Sequence, residues 1–314
     1  MSRSRTELPL ALLAAVSRSF YLSLRVLPGP LRFPLGLGYL LARATDTVAD
    51  AEGIPEERRS ALLDGLARRI AGEAGMALPS WLADCGASVP HAGERELLGR
   101  VPELLELLDA SEAADRDDLR EVLAAITRGQ QLDLARGRNG FTLETEEDLV
   151  EYADLVAGAV GVFWTRVSLR HLPGCARAPA AELEDWGLRF GRGLQLVNIL
   201  RDFPVDLARG RCYLPGAELR AAGIDPARLA TEPQGARVVF EAWCARALQE
   251  LACGSRYAEA LRPARLRFAV LVPWMLGEQT LARVRERFPE RGVKVTRTEV
   301  RRVLVRAAWE SLRF

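Results

Sequence analysis

The chain has 314 residues, and its 43 basic and 42 acidic side chains leave a net charge of +1. That near-balance excludes a general nucleic-acid binder, which needs a marked basic excess. A hydrophobic fraction of 49% is ample for a large core, and the abundance of Ala, Leu, Arg and Glu beside only 7% aromatics favours helices.

Long alternating β-branched runs are missing, so the pattern predicts an all-α protein. The basic residues divide into 42 Arg and one Lys, Lys294. Most of the arginines fit solvated helix faces, and a minority fit the forked recognition of diphosphate or carboxylate. The five cysteines form no CxxC pair, and with only His91 and His171 available they predict reduced thiols rather than a zinc site.

In chain order, amphipathic periodicity predicts helices over about 6–26, 30–51, 55–72, 93–109, 112–136, 145–171, 178–203, 234–252, 262–288 and 297–312. Pro28-Gly29-Pro30 separates the first two, and Pro55 opens the third. Thr145 followed by Asp148 makes a capping-box start, and Leu172-Pro173-Gly174 is a stop. Residues 73–92 have little periodicity and are expected to be a loop. No linker divides the chain, which predicts a single domain. No run reaches the roughly 18 apolar residues that span a bilayer: Leu149 to Val167 contains Glu151 and Asp154, and Phe268 to Gly277 is short and contains Pro273. Glu7 interrupts the N-terminal apolar run, so export is not expected.

Four segments carry chemistry. In YLLARATDTVAD, Tyr39, Arg43, Asp46 and Asp50 fall at i, i+4, i+7 and i+11, one face of a helix in an otherwise apolar stretch. Ionised carboxylates there repel and need compensation, for which Mg²⁺ with phosphate is suited; a solvated helix edge would also fit. In GLQLVNILRDFPVDLARGRCYLP, Gln195, Asn198, Asp202 and Asp206 fall at i, i+3, i+7 and i+11 on one helical face beside Arg201, with Pro204 expected to disturb the helix. Two such faces opposed across a bundle would line a cavity for metal-bridged diphosphate. In YADLVAGAVGVFWTRV, Tyr152, Val156, Ala159 or Val160, and Phe163 share a face, while Gly158 and Gly161 suit either an apolar substrate wall or close helix packing. In VSRSFYLSLRVLP, Ser17, Arg18 and Ser19 suit phosphate oxygens, or a helix cap and a surface position.

Together these segments resemble the squalene/phytoene synthase family, the head-to-head isoprenoid condensing enzymes. SRSF at 17–20, LLARATDTVAD at 40–50, YADLVAGAVG at 152–161 and QLVNILRDFPVDLARGRCYLP at 195–215 match its main blocks in order. The wording is most similar to squalene synthases of bacterial type, and RGVKVTRTEVRRVL resembles their segment that contacts nicotinamide-cofactor phosphates.

The resemblance implies a single-domain isoprenoid synthase helical bundle with a central cavity. It implies Mg²⁺, with Mn²⁺ as a substitute, on Asp46, Asp50, Asp202 and Asp206, supported by Asn198 and Gln195. Ser17, Arg18, Ser19, Arg43 and Arg201 would contact diphosphate. Phe20, Val156, Gly158 and Val160 would line the prenyl site, and Tyr39 and Tyr152 would lie near the reacting carbons, Tyr152 assisting proton removal. NADPH would meet Lys294 and Arg297, although Thr296 stands where the family has a second basic residue. No dinucleotide GxGxxG fingerprint follows a strand, so NADPH rests on the resemblance.

The implied reaction joins two farnesyl diphosphates into presqualene diphosphate and reduces it to squalene, a step toward sterols or hopanoids. The rival products are phytoene or dehydrosqualene, or presqualene diphosphate or hydroxysqualene without hydride transfer. A class I terpene cyclase is disfavoured because its Asn-Ser-Glu pattern is missing, and a non-enzymatic helical assembly protein would not need both acidic pairs. The implied setting is cytoplasmic, with no transmembrane anchor, no nucleic acid, and a peripheral contact at the inner membrane face for product release.

Overall fold

The computed structural model describes residues 8–17, 21, 24–51, 53–73, 81–136 and 141–313. They are mainly helical, with one parallel pairing of two-residue strands, β1 (Phe141–Thr142) with β2 (Arg211–Cys212), and one isolated antiparallel bridge between Ala176 and Leu261. The chain divides into two compact units, one of Met1–Leu134 with Arg166–Pro173, the other of Ala135–Thr165 with Gly174–Phe314.

The first unit holds α1 (Leu10–Val16), α2 (Gly29–Ala49), α3 (Glu56–Ile70), α4 (Trp81–Ser88), α5 (Ala92–Gly99), α6 (Val101–Asp109) and α7 (Ala113–Arg136) as far as Leu134. Its core is aliphatic: Leu12, Leu31, Leu40, Leu62, Leu97, Leu104 and Leu119 are wholly buried. Three expectations change here. The expected 6–26 helix breaks at Ser17, whose backbone is extended; a serine hydroxyl competes with helical backbone bonding. Residues 73–92 contain α4, in which Leu82 and Cys85, with Val89 just beyond, are buried at helical spacing; glycine, serine and proline diluted that signal. The expected 93–109 helix is two helices that meet at Arg100, because Pro102 opens the second. A buried polar cluster ties α7 to residues 166–171: Arg170 bonds Asp115 at 2.6 Å and also Asp118, and His171 Nε2 lies 2.8 Å from Asp115.

The second unit holds α8 (Glu146–Ala153), a π-helical turn (Asp154–Gly158), α9 (Ala159–His171) as far as Thr165, α10 (Ala180–Ala208), α11 (Gly216–Ala221), α12 (Arg237–Ala260), α13 (Ala264–Arg287) and α14 (Arg297–Ser311). Leu196, Leu200 and Phe203 of α10 pack with Phe240, Trp243 and Leu251 of α12 and Leu281 of α13. Phe203, Phe240 and Phe288 form an aromatic trio with centroids 4.2–5.9 Å apart. The Thr145–Asp148 capping box forms as the sequence predicts, and Gly174 supplies the positive φ that follows α9.

Pro204 does not end its helix. α10 continues to Ala208 because Phe203 and Leu207, on either side of the proline, are buried in the core and outweigh one missing N–H bond. Asp206 therefore stays on the helix that carries Asp202. All five cysteines are free and buried, and no described helix is long and apolar enough to cross a membrane.

Candidate active site

On α2, burial sharpens the polar stripe. From Pro34 to Val48 every residue is buried except Tyr39, Ala42, Arg43 and Asp46. Asp50 caps the helix and is exposed. Arg43 divides its guanidinium, giving Nη1 to Asp46 at 2.6 Å and Nη2 to Glu94 of α5 at 2.5 Å. Desolvation, followed by the charge of Asp50, pushes the Asp46 carboxyl up to about 6, against the pull of Arg43. Ser17 lies at the end of α1, half-buried; Arg18, Ser19 and Phe20 lie outside the described residues.

On α10 the residues that are not fully buried between Gly191 and Leu207 repeat at helical spacing, and Gln195, Asn198, Arg201, Asp202 and Asp206 are among them. Arg201 forks onto its neighbour Asp202, Nε to Oδ1 at 2.9 Å and Nη2 to Oδ2 at 2.5 Å. That bond, with the charges of Asp202 and Asp206, raises the Arg201 pKa. Asn198 Nδ2 donates to Gln195 Oε1 at 3.4 Å.

The donor chemistry suits Mg²⁺, which is held by one or two carboxylates together with substrate phosphates. Each helix offers one carboxylate pair, and no group of three or more His, Cys, Asp or Glu that could hold a metal by itself occurs among the described residues. The mutual charge that raises Asp46 is what a cation would relieve.

The third segment departs from the expected continuous helix. The π turn adds a residue between Tyr152 and Phe163 and shifts the face on which the later side chains lie. Tyr152 is buried and stacks on Tyr213, centroids 5.3 Å apart. Val156 packs against the core, and Val160 is 41% exposed. The glycines serve helix packing: a Cβ at Gly161 would sit 1.9 Å from the Gly187 carbonyl oxygen, and one at Gly158 would meet Leu188 at 2.9 Å. Arg192 of α10 holds the turn by a fork onto Asp154, at 2.7 and 2.8 Å, and reaches Glu250 of α12 at 3.5 Å.

With these three segments in place, the comparison with known proteins is decisive at family level. The family model for squalene/phytoene synthase matches residues 13–304. The chain belongs to the squalene/phytoene synthase family. It is 36% identical over 215 residues to a presqualene diphosphate synthase of Zymomonas mobilis, across 67% of this chain and 60% of that protein. It is 32% identical over 224 residues to a bifunctional lycopene cyclase/phytoene synthase of Colletotrichum graminicola, across 71% of this chain and 36% of that protein. Its length thus spans only part of these relatives. A solved structure of the squalene synthase TcSQS with a ligand aligns with a TM-score of 0.77 at 25% identity, over 96% of this chain and 87% of that one. The chain has the helical fold of these isoprenoid synthases.

In this family member the segment around Lys294 precedes α14. Lys294 and Arg297 are exposed, and the Lys294 carbonyl accepts from Arg283 at 3.1 Å. Thr296 is the N-cap of α14, in a reciprocal box with Glu299, whose carboxyl is held down to about 2 by Thr296 and then Arg283. At the helix start beside these two cations, Glu299 takes the Thr296 N–H and Thr296 Oγ1 takes the Glu299 N–H. Thr296 thus has a structural reason to replace a basic residue. The sequence reading missed Glu94, Asp154, Arg192 and Tyr213. Each acts on a partner far along the chain or across a register shift, and neither periodicity nor motif spacing carries that signal.

Proposed function

We propose that this enzyme is a squalene synthase, which condenses two farnesyl diphosphates to presqualene diphosphate and reduces that with NADPH to squalene. The observation that carries the reading is the pair of carboxylate stripes, on α2 and α10, each with an arginine already bonded to its leading aspartate. When bound, Mg²⁺ supplies charge neutralisation for a departing diphosphate. Asp46 and Asp50 would hold it on one helix, and Asp202 and Asp206 on the other, with Asn198 and Gln195 beside them. Arg43 and Arg201 turn from their aspartates to phosphate oxygens, stabilising the ionising transition state electrostatically. Ser17, Arg18 and Ser19 add phosphate contacts. Tyr39 and Tyr152 attend the reacting carbons, and Tyr152 takes part in removing the proton that closes the cyclopropane. Phe20, Val156 and Val160 contribute apolar wall, which keeps water from quenching the cation. Lys294 and Arg297 bind the NADPH phosphates, and NADPH supplies the hydride of the second half-reaction. The reading includes a peripheral contact with the membrane, which receives the product.

A second reading stops at presqualene diphosphate, and the 36% identity to the Zymomonas mobilis enzyme favours it. Product analysis with farnesyl diphosphate and Mg²⁺, with and without NADPH, separates the two. Squalene formed only with NADPH is the expected result. Presqualene diphosphate that accumulates equally in both reactions would overturn squalene synthesis in favour of the shorter reaction.

A further inference from the structure

The outer face of α14 is unlike the rest of the described surface. Val303, Ala307 and Ser311 turn inward and are buried, and Arg267 of α13 fixes that side by donating to the Ser311 carbonyl at 2.6 and 2.9 Å. The opposite side, at i, i+3, i+4, i+7 and i+11, carries Thr298, Arg301, Arg302, Val305 and Trp309, which with Arg306 line one open groove. Val305 is 72% exposed and Trp309 58%, and just beyond the helix Leu312 is 76% exposed. Of the eight exposed large hydrophobic residues among those described, four lie on this one segment, Leu304 being the fourth. The patch is therefore concentrated, not part of the ordinary scatter of single apolar residues.

Charge is concentrated in the same place. The whole chain is nearly neutral at +1, yet residues 297–313 contain five arginines against two glutamates. Both glutamates are engaged, Glu299 with Arg283 and Glu310 with Arg306. Arg301 and Arg302 are exposed, with no hydrogen bond or ion pair among the described residues. The Arg313 guanidinium sits over the Trp309 ring at 4.0 Å. A helix with Trp, Val and Leu between arginines, whose groove is lined by its own residues alone, has the make-up of one that lies in the interface of an anionic bilayer. A second copy of the chain would bring the same positive face against itself.

We propose that the outer face of α14 docks the enzyme on an anionic phospholipid surface, with Val305, Trp309 and Leu312 entering the headgroup boundary and Arg301 and Arg302 meeting lipid phosphates. This names the partner surface for the peripheral contact in the proposed function and rests on that reading only for its purpose. Lipid binding is measured without substrate, so the docking and the reaction fail separately.

The test is flotation of the full chain with phosphatidylcholine vesicles and with vesicles that also contain phosphatidylglycerol. The native chain floats with the anionic vesicles, at least about tenfold more than with neutral ones, and high salt releases it. Val305→Ser/Trp309→Ser loses binding about tenfold or more, and Arg301→Gln/Arg302→Gln loses the preference for phosphatidylglycerol. These side chains are exposed, so far-UV circular dichroism and Tm stay at the native values and confirm a folded variant. The proposal is overturned if the native chain stays unbound, or if the Val305/Trp309 variant floats as well as the native chain. It is equally overturned if light scattering shows a native dimer that the Val305/Trp309 variant breaks, because the face then belongs to a second copy.

Discussion

The stripes of α2 and α10 each carry an aspartate pair at i, i+4 with an arginine nearby, but their charges are settled differently. On α10, Arg201 gives both arms of its fork to Asp202. On α2, Arg43 shares its fork between Asp46 and Glu94, so Asp46 receives one N–H bond while Asp50 pushes against it. The leading aspartate of α10 holds a two-armed ion pair, whereas the leading aspartate of α2 shares its arginine with Glu94. A cation would therefore relieve the repulsion on Asp46, while at Asp202 it would have to compete with the Arg201 fork. Sequence spacing makes the two look alike; the third partner, Glu94, makes them differ.

The largest effect should come from removing the leading aspartates. Asp46→Asn and Asp202→Asn each lower kcat by about 10²–10³ or more, the cost of losing one preorganised electrostatic contact to developing charge. Steady-state release of diphosphate measures it. If Asp202→Asn is inactive and Asp46→Asn turns over normally, the α2 stripe is only a solvated helix edge and the comparison collapses.

The next effect is on metal demand. Metal binding needs ionised carboxylates, and Asp46 takes up its proton near pH 6. Half-saturating Mg²⁺ should therefore rise about tenfold from pH 7 to pH 5, as the ionised fraction of Asp46 falls. A flat Mg²⁺ requirement over that range would remove Asp46 from the metal site. Glu94→Gln sharpens the point with a smaller change. It deletes a negative charge that raises Asp46 and leaves the whole Arg43 fork to Asp46, so the acid limb of the Mg²⁺ profile moves to lower pH. A shift to higher pH would show that Glu94 positions Arg43 and does not compete for it.

Much of this was legible before the structure. Helix-forming composition and the lack of alternating β-branched runs predict the all-α fold, and the i, i+4 spacing of Asp46 with Asp50 and Asp202 with Asp206 predicts both stripes. Boundaries failed where local chemistry lost to packing. Pro204 reads as a breaker, but Phe203 and Leu207 keep α10 intact; glycine and proline hid α4; the π turn is held by Arg192, which lies 38 positions from Asp154. Gly158 and Gly161 are ambiguous in sequence, because a small residue serves a ligand and a neighbouring helix equally well. Only the Gly187 carbonyl beneath Gly161 decides for the helix.

The smallest effect tests the electrostatic difference without any reaction. A carboxyl raised from its ordinary range binds a proton in the folded state at a pH where the unfolded chain has released it. Between about pH 6 and pH 4 the Asp46 group thus adds stability as pH falls, and its ionised form costs stability at neutral pH. Asp46→Asn removes the repulsion from Asp50 while Arg43 keeps Glu94, so Tm should rise by a few degrees at pH 7.5, and the gain should vanish near pH 5, where native Asp46 is itself protonated. Asp202→Asn does the opposite, because it strands the Arg201 fork: Tm falls slightly, by the modest amount a part-exposed pair contributes, and the loss persists at both pH values. Thermal melts of the two variants at pH 5 and 7.5 read this directly. Equal shifts of one sign would mean that the two stripes are electrostatically equivalent and that the shared fork of Arg43 has no consequence.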